Sequence, residues 1–213
     1  HELGVNHQKN SSYDKAREHH QKALDTRLKQ MGEDHPDVAR SLSNLGLAYC
    51  FIKKYPKAQE MCEKALAIQL KVLGAKHPDV ADSFSGIGIL HQTKKEYTKA
   101  LEFFQKALNI RTGKFRADHP DVASSYLEIG KVLSDNDEVA KALEYFHKAL
   151  AIYQKGKGPD HFLVGDCFNS IGAAYYRKDE YDKAFDFYRK ALAIQIKQLG
   201  PDHPRTLHTK INI

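Results

Sequence analysis

The sequence predicts an all-α protein of stacked helix pairs, and three observations lead to that fold class. A histidine and several small residues return every 42 residues without insertion or deletion. Between these positions apolar residues follow helical spacing, for example Leu42, Leu45 and Tyr49. A single pair of amphipathic helices cannot bury its apolar face alone, so successive copies are expected to stack into a solenoid. The recurring histidines are His35, His77, His119, His161 and His203.

The 42-residue register divides the 213 residues into a single repeat array. It predicts a partial repeat at 1–35, full repeats at 36–77, 78–119, 120–161 and 162–203, and the start of a further repeat at 204–213. Since the first residue is His1 rather than Met, we expect the chain to be a piece of a longer protein. Solenoid ends normally need polar caps, so the clipped ends around Leu3, Val5 and Leu192 are expected to leave apolar surface for self-association.

Proline and glycine mark the predicted ends of the helices. Proline suits the first position of a helix, where its missing N–H costs nothing, and glycine suits a left-handed C-cap. Two breaks in the pattern predict looser or reshaped turns, because Arg116 stands where other copies have glycine and Phe162 stands where others have proline. The prolines are Pro36, Pro78, Pro120 and Pro204, and the glycines are Gly32, Gly74, Gly158 and Gly200.

Three columns of small residues predict where the two helices of a pair touch. A larger side chain at these positions would hold the helix backbones apart. The columns are Gly4, Gly46, Gly88, Gly130 and Gly172; Ala16, Ala58, Ala100, Ala142 and Ala184; and Ala23, Ala65, Ala107, Ala149 and Ala191.

Composition and motifs argue against several classes of protein. With 41% hydrophobic and 28% charged residues and a net charge of +6, the chain is typical of globular proteins. No apolar run approaches the ~20 residues that span a bilayer. Cys50, Cys62 and Cys167 form no CxxC motif, which favours reduced thiols in a cytoplasmic protein.

No catalytic motif is present, and we expect a non-catalytic protein without cofactor or metal. The recurring histidines lie a whole repeat apart, whereas zinc needs ligand atoms within ~2.0–2.1 Å of one point. We expect them to be turn or cap residues. Cys62 shares its column with Phe104 and Phe146, which predicts a place in the core.

The net positive charge arises mainly on the second helix of each repeat. An acid precedes a lysine by four residues in every copy, as in Glu60–Lys64 and Glu102–Lys106, an order that stabilises a solvated helix face. We expect this side to face solvent. Weak polyanion binding is a less favoured alternative, and neither nucleic acid nor a membrane is an expected partner. A further column, here called the lysine ridge, consists of Lys15, Lys57, Lys99, Lys141 and Lys183.

The exposed side of the first helices has a different chemistry, which predicts a site for a peptide segment of a partner protein. Amide side chains can hold a peptide backbone, apolar ones take its anchors, and basic ones favour acids beside those anchors. Packing between neighbouring first helices is the alternative role of Leu47, Ile89 and Leu127. The candidate residues are Arg40, Asn44, Leu47, Phe51, Ile89, Lys131, Asn169, Tyr176 and Arg177, and the acids that compete with them are Asp82, Glu128, Asp135 and Asp166.

The repeat resembles the tetratricopeptide repeat, and its period together with the junction LGAKHPDVA at 73–81 resembles the kinesin light chain type. The resemblance implies a right-handed superhelix whose concave side is lined by the first helices. It also implies an adaptor whose asparagines hold an extended peptide on that side. Asn44 and Asn169 match this motif, whereas Gly86 and Glu128 depart from it. A structural spacer or self-assembling array is the alternative function.

Overall fold

The computed structural model describes the backbone of residues 2–213 and the side chains of residues 14–213. The predicted all-α fold is confirmed, since every regular element in this range is a helix. The clipped-end residues Leu3 and Val5 fall outside the described side chains, while Leu192 is half-buried. The helices are α1 Glu2–Met31, α2 Pro36–Phe51, α3 Tyr55–Leu73, α4 Pro78–Thr93, α5 Tyr97–Lys114, α6 Pro120–Asp135, α7 Val139–Lys157, α8 Phe162–Arg177, α9 Tyr181–Leu199 and α10 Pro204–Ile211.

The chain forms two compact units, His1–Lys114 and Phe115–Ile213. In the N-terminal unit α2 packs against α3 and α4 against α5, while α1 lies on α2 and α2 also meets α4. In the C-terminal unit α6 packs against α7, α8 against α9, and α10 against α9. Five helices begin 42 residues apart, and the grouping of all residues into one array of repeats stays a prediction.

From Gly46 onward the glycine column lies where the paired helices are closest, as predicted, whereas Gly4 falls outside the described side chains. A Cβ added to Gly46 would lie 2.6 Å from Cys62 Sγ, and one added to Gly88 would lie 2.9 Å from the ring of Phe104. A Cβ added to Gly130 would lie 2.6 Å from the ring of Phe146, and one added to Gly172 would lie 2.8 Å from the ring of Tyr188. The side chain that faces each glycine is buried, and it occupies its place in the core because glycine has no side chain there.

Two glycines of α4 allow a matched test of this contact. Gly88→Ala should destabilise the protein by about 1–3 kcal/mol, because the added methyl group overlaps the buried Phe104 ring. Gly86→Ala should instead stabilise it by about 0.5–1 kcal/mol, because its Cβ would meet no atom within 4 Å and alanine favours the helix. Urea unfolding of both variants measures the difference. Equal effects would contradict a contact that requires glycine.

The recurring histidines are N-caps, which explains why they stand before five helices. In each case the residue is extended and its Nδ1 accepts the backbone N–H two residues on. At His77 the N–H of Asp79 lies 3.2 Å from the ring nitrogen. The imidazole thus satisfies one of the unpaired N–H groups of the first turn, and the expectation of cap residues is confirmed.

Replacing a capping histidine separates its hydrogen bond from its bulk. His77→Ala should lower the free energy of unfolding by about 1 kcal/mol, because the N–H of Asp79 loses its acceptor. His77→Asn should recover most of this loss, since asparagine is a favourable N-cap. Thermal or urea unfolding gives both values. An asparagine variant as unstable as the alanine variant would mean that the ring stabilises the turn by packing alone.

The ends of the second helices need glycine for a reason that differs in part from the prediction. Gly74 has φ 80° and ψ 159°, and Gly158 has φ 88° and ψ 158°. The positive φ agrees with the prediction, but the extended ψ places both residues outside the left-handed helical region. The region that they occupy instead is one that only glycine readily tolerates. Arg116 is not among the positive-φ residues, so the turn before α6 is reshaped as expected. The prediction of a looser or reshaped turn at Phe162 is wrong, because His161 caps α8 with the same geometry as the other histidines.

The turns inside each pair use a device that the sequence pattern does not reveal. Lys53, Lys95, Asp137 and Asp179 have φ between 59° and 66° although none is glycine. Around Lys53, the N–H of Lys54 donates to the carbonyl of Tyr49 and that of Lys53 to Cys50, both at 2.9 Å. This is the Schellman arrangement, which satisfies the last carbonyls of α2 and starts α3 after three residues.

Candidate peptide-binding surface

The N-terminal unit presents three of the predicted site residues to solvent on α2. Arg40 and Asn44 are exposed and Phe51 is 43% exposed, while Leu47 between them is half-buried. The guanidinium of Arg40 pairs with the carboxylate of Asp37 one turn earlier, and its side chain remains 61% exposed. We call this set the α2 face. It combines an amide, an aromatic ring and a cation on one rigid helix.

The neighbouring helix α4 adds a half-buried apolar residue and a gap. Helices α2 and α4 lie side by side, with Ser43 Oγ of α2 3.4 Å from Ser83 Oγ of α4. Ile89 is half-buried. Gly86, in the column of Asn44, leaves open space where a side chain would stand. The departure from asparagine at this position therefore leaves space on α4, the first helix that lies beside α2.

In the C-terminal unit two predicted residues are already engaged within the fold. Asn169 Oδ1 accepts a hydrogen bond from Thr209 Oγ1 of α10 at 3.2 Å. Arg177 Nη1 donates to the carbonyl of Ser134 at 2.7 Å, and its Nη2 lies 3.8 Å from Asp135. A cation at the last carbonyls of α6 also interacts favourably with the helix dipole. Arg177 thus stabilises the end of α6.

The remaining predicted residues of this unit are accessible. Lys131 is exposed on α6. Tyr176 is 56% exposed, and its ring meets that of Tyr181 edge-on with centroids 5.3 Å apart. Together with Ile211 and Asn212 it borders a shallow hollow of about 260 Å³.

The first helices are less acidic than the sequence indicates, because arginines neutralise two of the competing acids. Arg111 Nη2 lies 2.7 Å from Asp82 in the N-terminal unit, and Arg205 Nη1 lies 2.8 Å from Asp166 in the C-terminal unit. Burial raises the pKa of the Asp166 carboxyl, and the attraction of Arg205 opposes that shift. Sequence reasoning missed both arginines. A sequence signal exists for Arg111, whose column also holds Arg27, Gln69 and Gln195 at the same place on the second helices.

The second helices differ from their predicted role in one respect. Glu60 and Lys64 form the expected pair, with Nζ and Oε1 2.7 Å apart. The lysines of the next three copies lie over aromatic rings, with Lys106 Nζ 4.8 Å from the centre of Phe103. The lysine ridge itself is exposed, and Lys99, Lys141 and Lys183 each pair with the glutamate three residues earlier.

The three cysteines are buried free thiols. Burial raises the pKa of Cys50 to about 11 and the pKa of both Cys62 and Cys167 to about 12. A thiol that stays protonated at neutral pH is a poor nucleophile. Among the described residues, no three His, Cys, Asp or Glu side chains lie together in a way that would hold a metal ion.

The thiol pKa values predict slow chemical modification. At about pH 8 the thiolate fraction of each cysteine should be about 100-fold or more below that of an ordinary thiol, so Ellman's reagent should leave all three unmodified in the folded protein. In guanidinium chloride all three should react. A cysteine that reacts in the folded protein as fast as glutathione would contradict its burial.

The paired helices, the small-residue contacts and the histidine caps define a helical repeat protein. The family model described as "Tetratricopeptide repeat" matches residues 1–61, 42–113, 121–197 and 168–213. The chain belongs to the tetratricopeptide repeat family. No match was found among curated proteins.

Solved structures with the same fold include kinesin light chain-like proteins, in agreement with the resemblance seen in the sequence. A kinesin light chain-like protein of Podosopora anserina with nearly identical TPR-like repeats is 25% identical, with a TM-score of 0.64 over 93% of this chain and 94% of that one. BtubC (BKLC) from P. vanneervenii is 21% identical, with a TM-score of 0.72 over 97% and 81%. A Rap protein complexed with competence and sporulation factor is 20% identical, with a TM-score of 0.76 over 92% of this chain and 52% of its own.

In the part of the chain that the structure describes, no helix combines the length and the apolar character needed to cross a bilayer.

Proposed function

We propose that this chain is a non-catalytic scaffold that binds an extended segment of a partner protein on the exposed side of its first helices. The single observation that carries the proposal is the α2 face, where Arg40, Asn44 and Phe51 are all exposed on a helix whose other side is core. A helix face that only contacts solvent does not need an exposed aromatic ring beside an amide, whereas protein-binding surfaces are enriched in aromatic residues and arginine. The concave side of the repeat is the location proposed for this surface, as the resemblance to the kinesin light chain type implies.

Each group on the α2 face has a distinct role in the proposal. The Asn44 amide donates to and accepts from a peptide backbone. Phe51 and the half-buried Leu47 contact an apolar anchor, and the open space at Gly86 accommodates it. Arg40 attracts an acid beside that anchor. The preferred ligand is therefore a segment with an aromatic or aliphatic anchor next to one or two acids.

The proposed binding surface includes residues of the C-terminal unit, some of which are accessible and some of which are already hydrogen-bonded within the fold. Lys131 and Tyr176 are accessible and take part. Asn169 and Arg177 must exchange their bonds with Thr209 and Ser134 before they meet a ligand. Their substitution would therefore change the fold and the site together. The residues of the α2 face give the clearer test.

The compartment proposed for this function is the cytoplasm. The three cysteines are free thiols rather than a disulfide, which is the usual state in a reducing compartment.

Arg40 and Lys99 provide a matched pair of variants for this proposal. Both are basic, their side chains are 61% and 62% exposed, and each pairs with an acid three residues earlier. A displayed library of random short peptides is selected against the wild-type chain, and the enriched peptides are measured by titration. Arg40→Glu and Asn44→Ala should each weaken binding by about 1 kcal/mol, or roughly fivefold, because each removes a polar contact.

Lys99→Glu is the control, since it inverts an equally exposed charge on a second helix. It should leave binding unchanged. Failure to enrich any peptide would favour the spacer function. Peptides lost with Lys99→Glu but kept with Arg40→Glu would move the site to the lysine ridge and favour polyanion binding.

A further inference from the structure

Three repeats carry an aromatic pair beneath a lysine at the outer side of the helix pair. One ring comes from the first helix and one from the second, and the lysine ammonium of the second helix lies over the latter. The ring centres are 6.1 Å apart in Phe84–Phe103, 5.8 Å in Tyr126–Tyr145 and 5.9 Å in Phe168–Phe187. The ammonium groups of Lys106, Lys148 and Lys190 lie 4.8, 4.9 and 5.0 Å from the centres of Phe103, Tyr145 and Phe187.

The pair formed by α2 and α3 keeps the lysine but lacks the rings. In the 42-residue register Leu42 stands in place of Phe84, Met61 in place of Phe103, and Lys64 in place of Lys106. A cleft of about 520 Å³ lies at this position, between α1 and α3 and over α2. Leu42, Met61 and Lys64 all line it.

The cleft has an apolar floor and a charged rim. Leu24, Val38 and Leu42 are buried at its base, and Leu28 and Ile68 pack against the same core cluster. Glu33 and Lys64 are exposed at its edge. This surface is separate from the α2 face, because Val38 and Leu42 project from the side of α2 opposite Asn44.

We propose that this cleft binds one aromatic side chain of a partner protein, with the Lys64 ammonium over its ring. In three other repeats of this chain an aromatic ring occupies the corresponding position beneath the lysine. The attraction between a cation and a ring face adds to the apolar contact and distinguishes Phe or Tyr from an aliphatic side chain. The exposed carboxylate of Glu33 at the rim favours a lysine or arginine next to that ring.

Lys64 must leave its present partner to cover a bound ring. Its Nζ now lies 2.7 Å from Glu60, and both side chains are more than half exposed. Exposed pairs four residues apart are weak, so this exchange is not a barrier to binding. The bound arrangement would then match that of Lys106 over Phe103 in the next repeat.

Methionine methyl NMR gives a direct test, because the chain has two methionines. Met61 lines the cleft, and Met31, which is exposed outside it, is an internal reference. Titration with N-acetyl-phenylalaninamide should shift the Met61 methyl signal upfield through the ring current and saturate, while Met31 stays in place. N-acetyl-leucinamide should bind about threefold or more weakly. No saturation at Met61, or equal binding of the two probes, would overturn the proposal.

Two variants complete the test, one that fills the cleft and one that opens a second cleft. Leu42→Phe fills the cleft while keeping the Met61 reporter, and it should weaken the probe about threefold or more. The double variant F84L/F103M should open a second cleft and create a third methyl signal that shifts with the probe. Absence of that shift in a folded double variant would overturn the proposal.

A second copy of the chain is the competing occupant. It would show as a Met61 shift that depends on protein concentration without any probe and disappears with Leu42→Phe. That result would assign the cleft to self-association and overturn the proposal. Because none of these readouts involves the α2 face, the outcome is independent of the peptide-binding function proposed above.

Discussion

The close contact between paired helices, at one glycine in each pair, sets the spacing on which the other features depend. A glycine on the first helix lets a larger buried side chain of the second helix lie against its backbone, as Gly88 does for Phe104 and Gly130 for Phe146. In the pairs from α2 and α3 to α8 and α9 the alanines at the same interface are also buried, so the two helices of each of these pairs pack closely. The side chains that point away from this contact are consequently held at defined positions.

This geometry gives each helix pair two surfaces of different character. The outer side of the second helices is covered by lysines, which pair with acids or lie over aromatic rings. The first helices expose amide, apolar and isolated basic groups, of which Arg40, Asn44 and Phe51 are the clearest examples. A helix that serves only as a spacer has no need for this contrast. The contrast is the physical basis of the proposed peptide-binding function.

Variation between repeats, rather than the repeated features, distinguishes this chain from a uniform solenoid. Gly86 leaves a gap where α2 has Asn44, and Leu42 with Met61 leaves a cleft where Phe84 and Phe103 meet in the next repeat. These positions vary while the buried glycine and alanine contacts recur from pair to pair. The same scaffold can therefore hold different surface chemistry in each repeat.

The sequence by itself determined the fold class, the starts of the first helix of each pair, the contact columns and the capping role of the histidines. Each of these depends on residues that are close in the chain or that recur at a fixed period, so pattern alone reveals them. Only the tertiary structure showed that Arg177 bonds to Ser134, that Arg205 pairs with Asp166, and that Lys106 leaves its acid for an aromatic ring. The two arginine contacts join different helices, and the lysine–ring contact lies within α5. All three depend on rotamers and distances that a linear pattern does not specify.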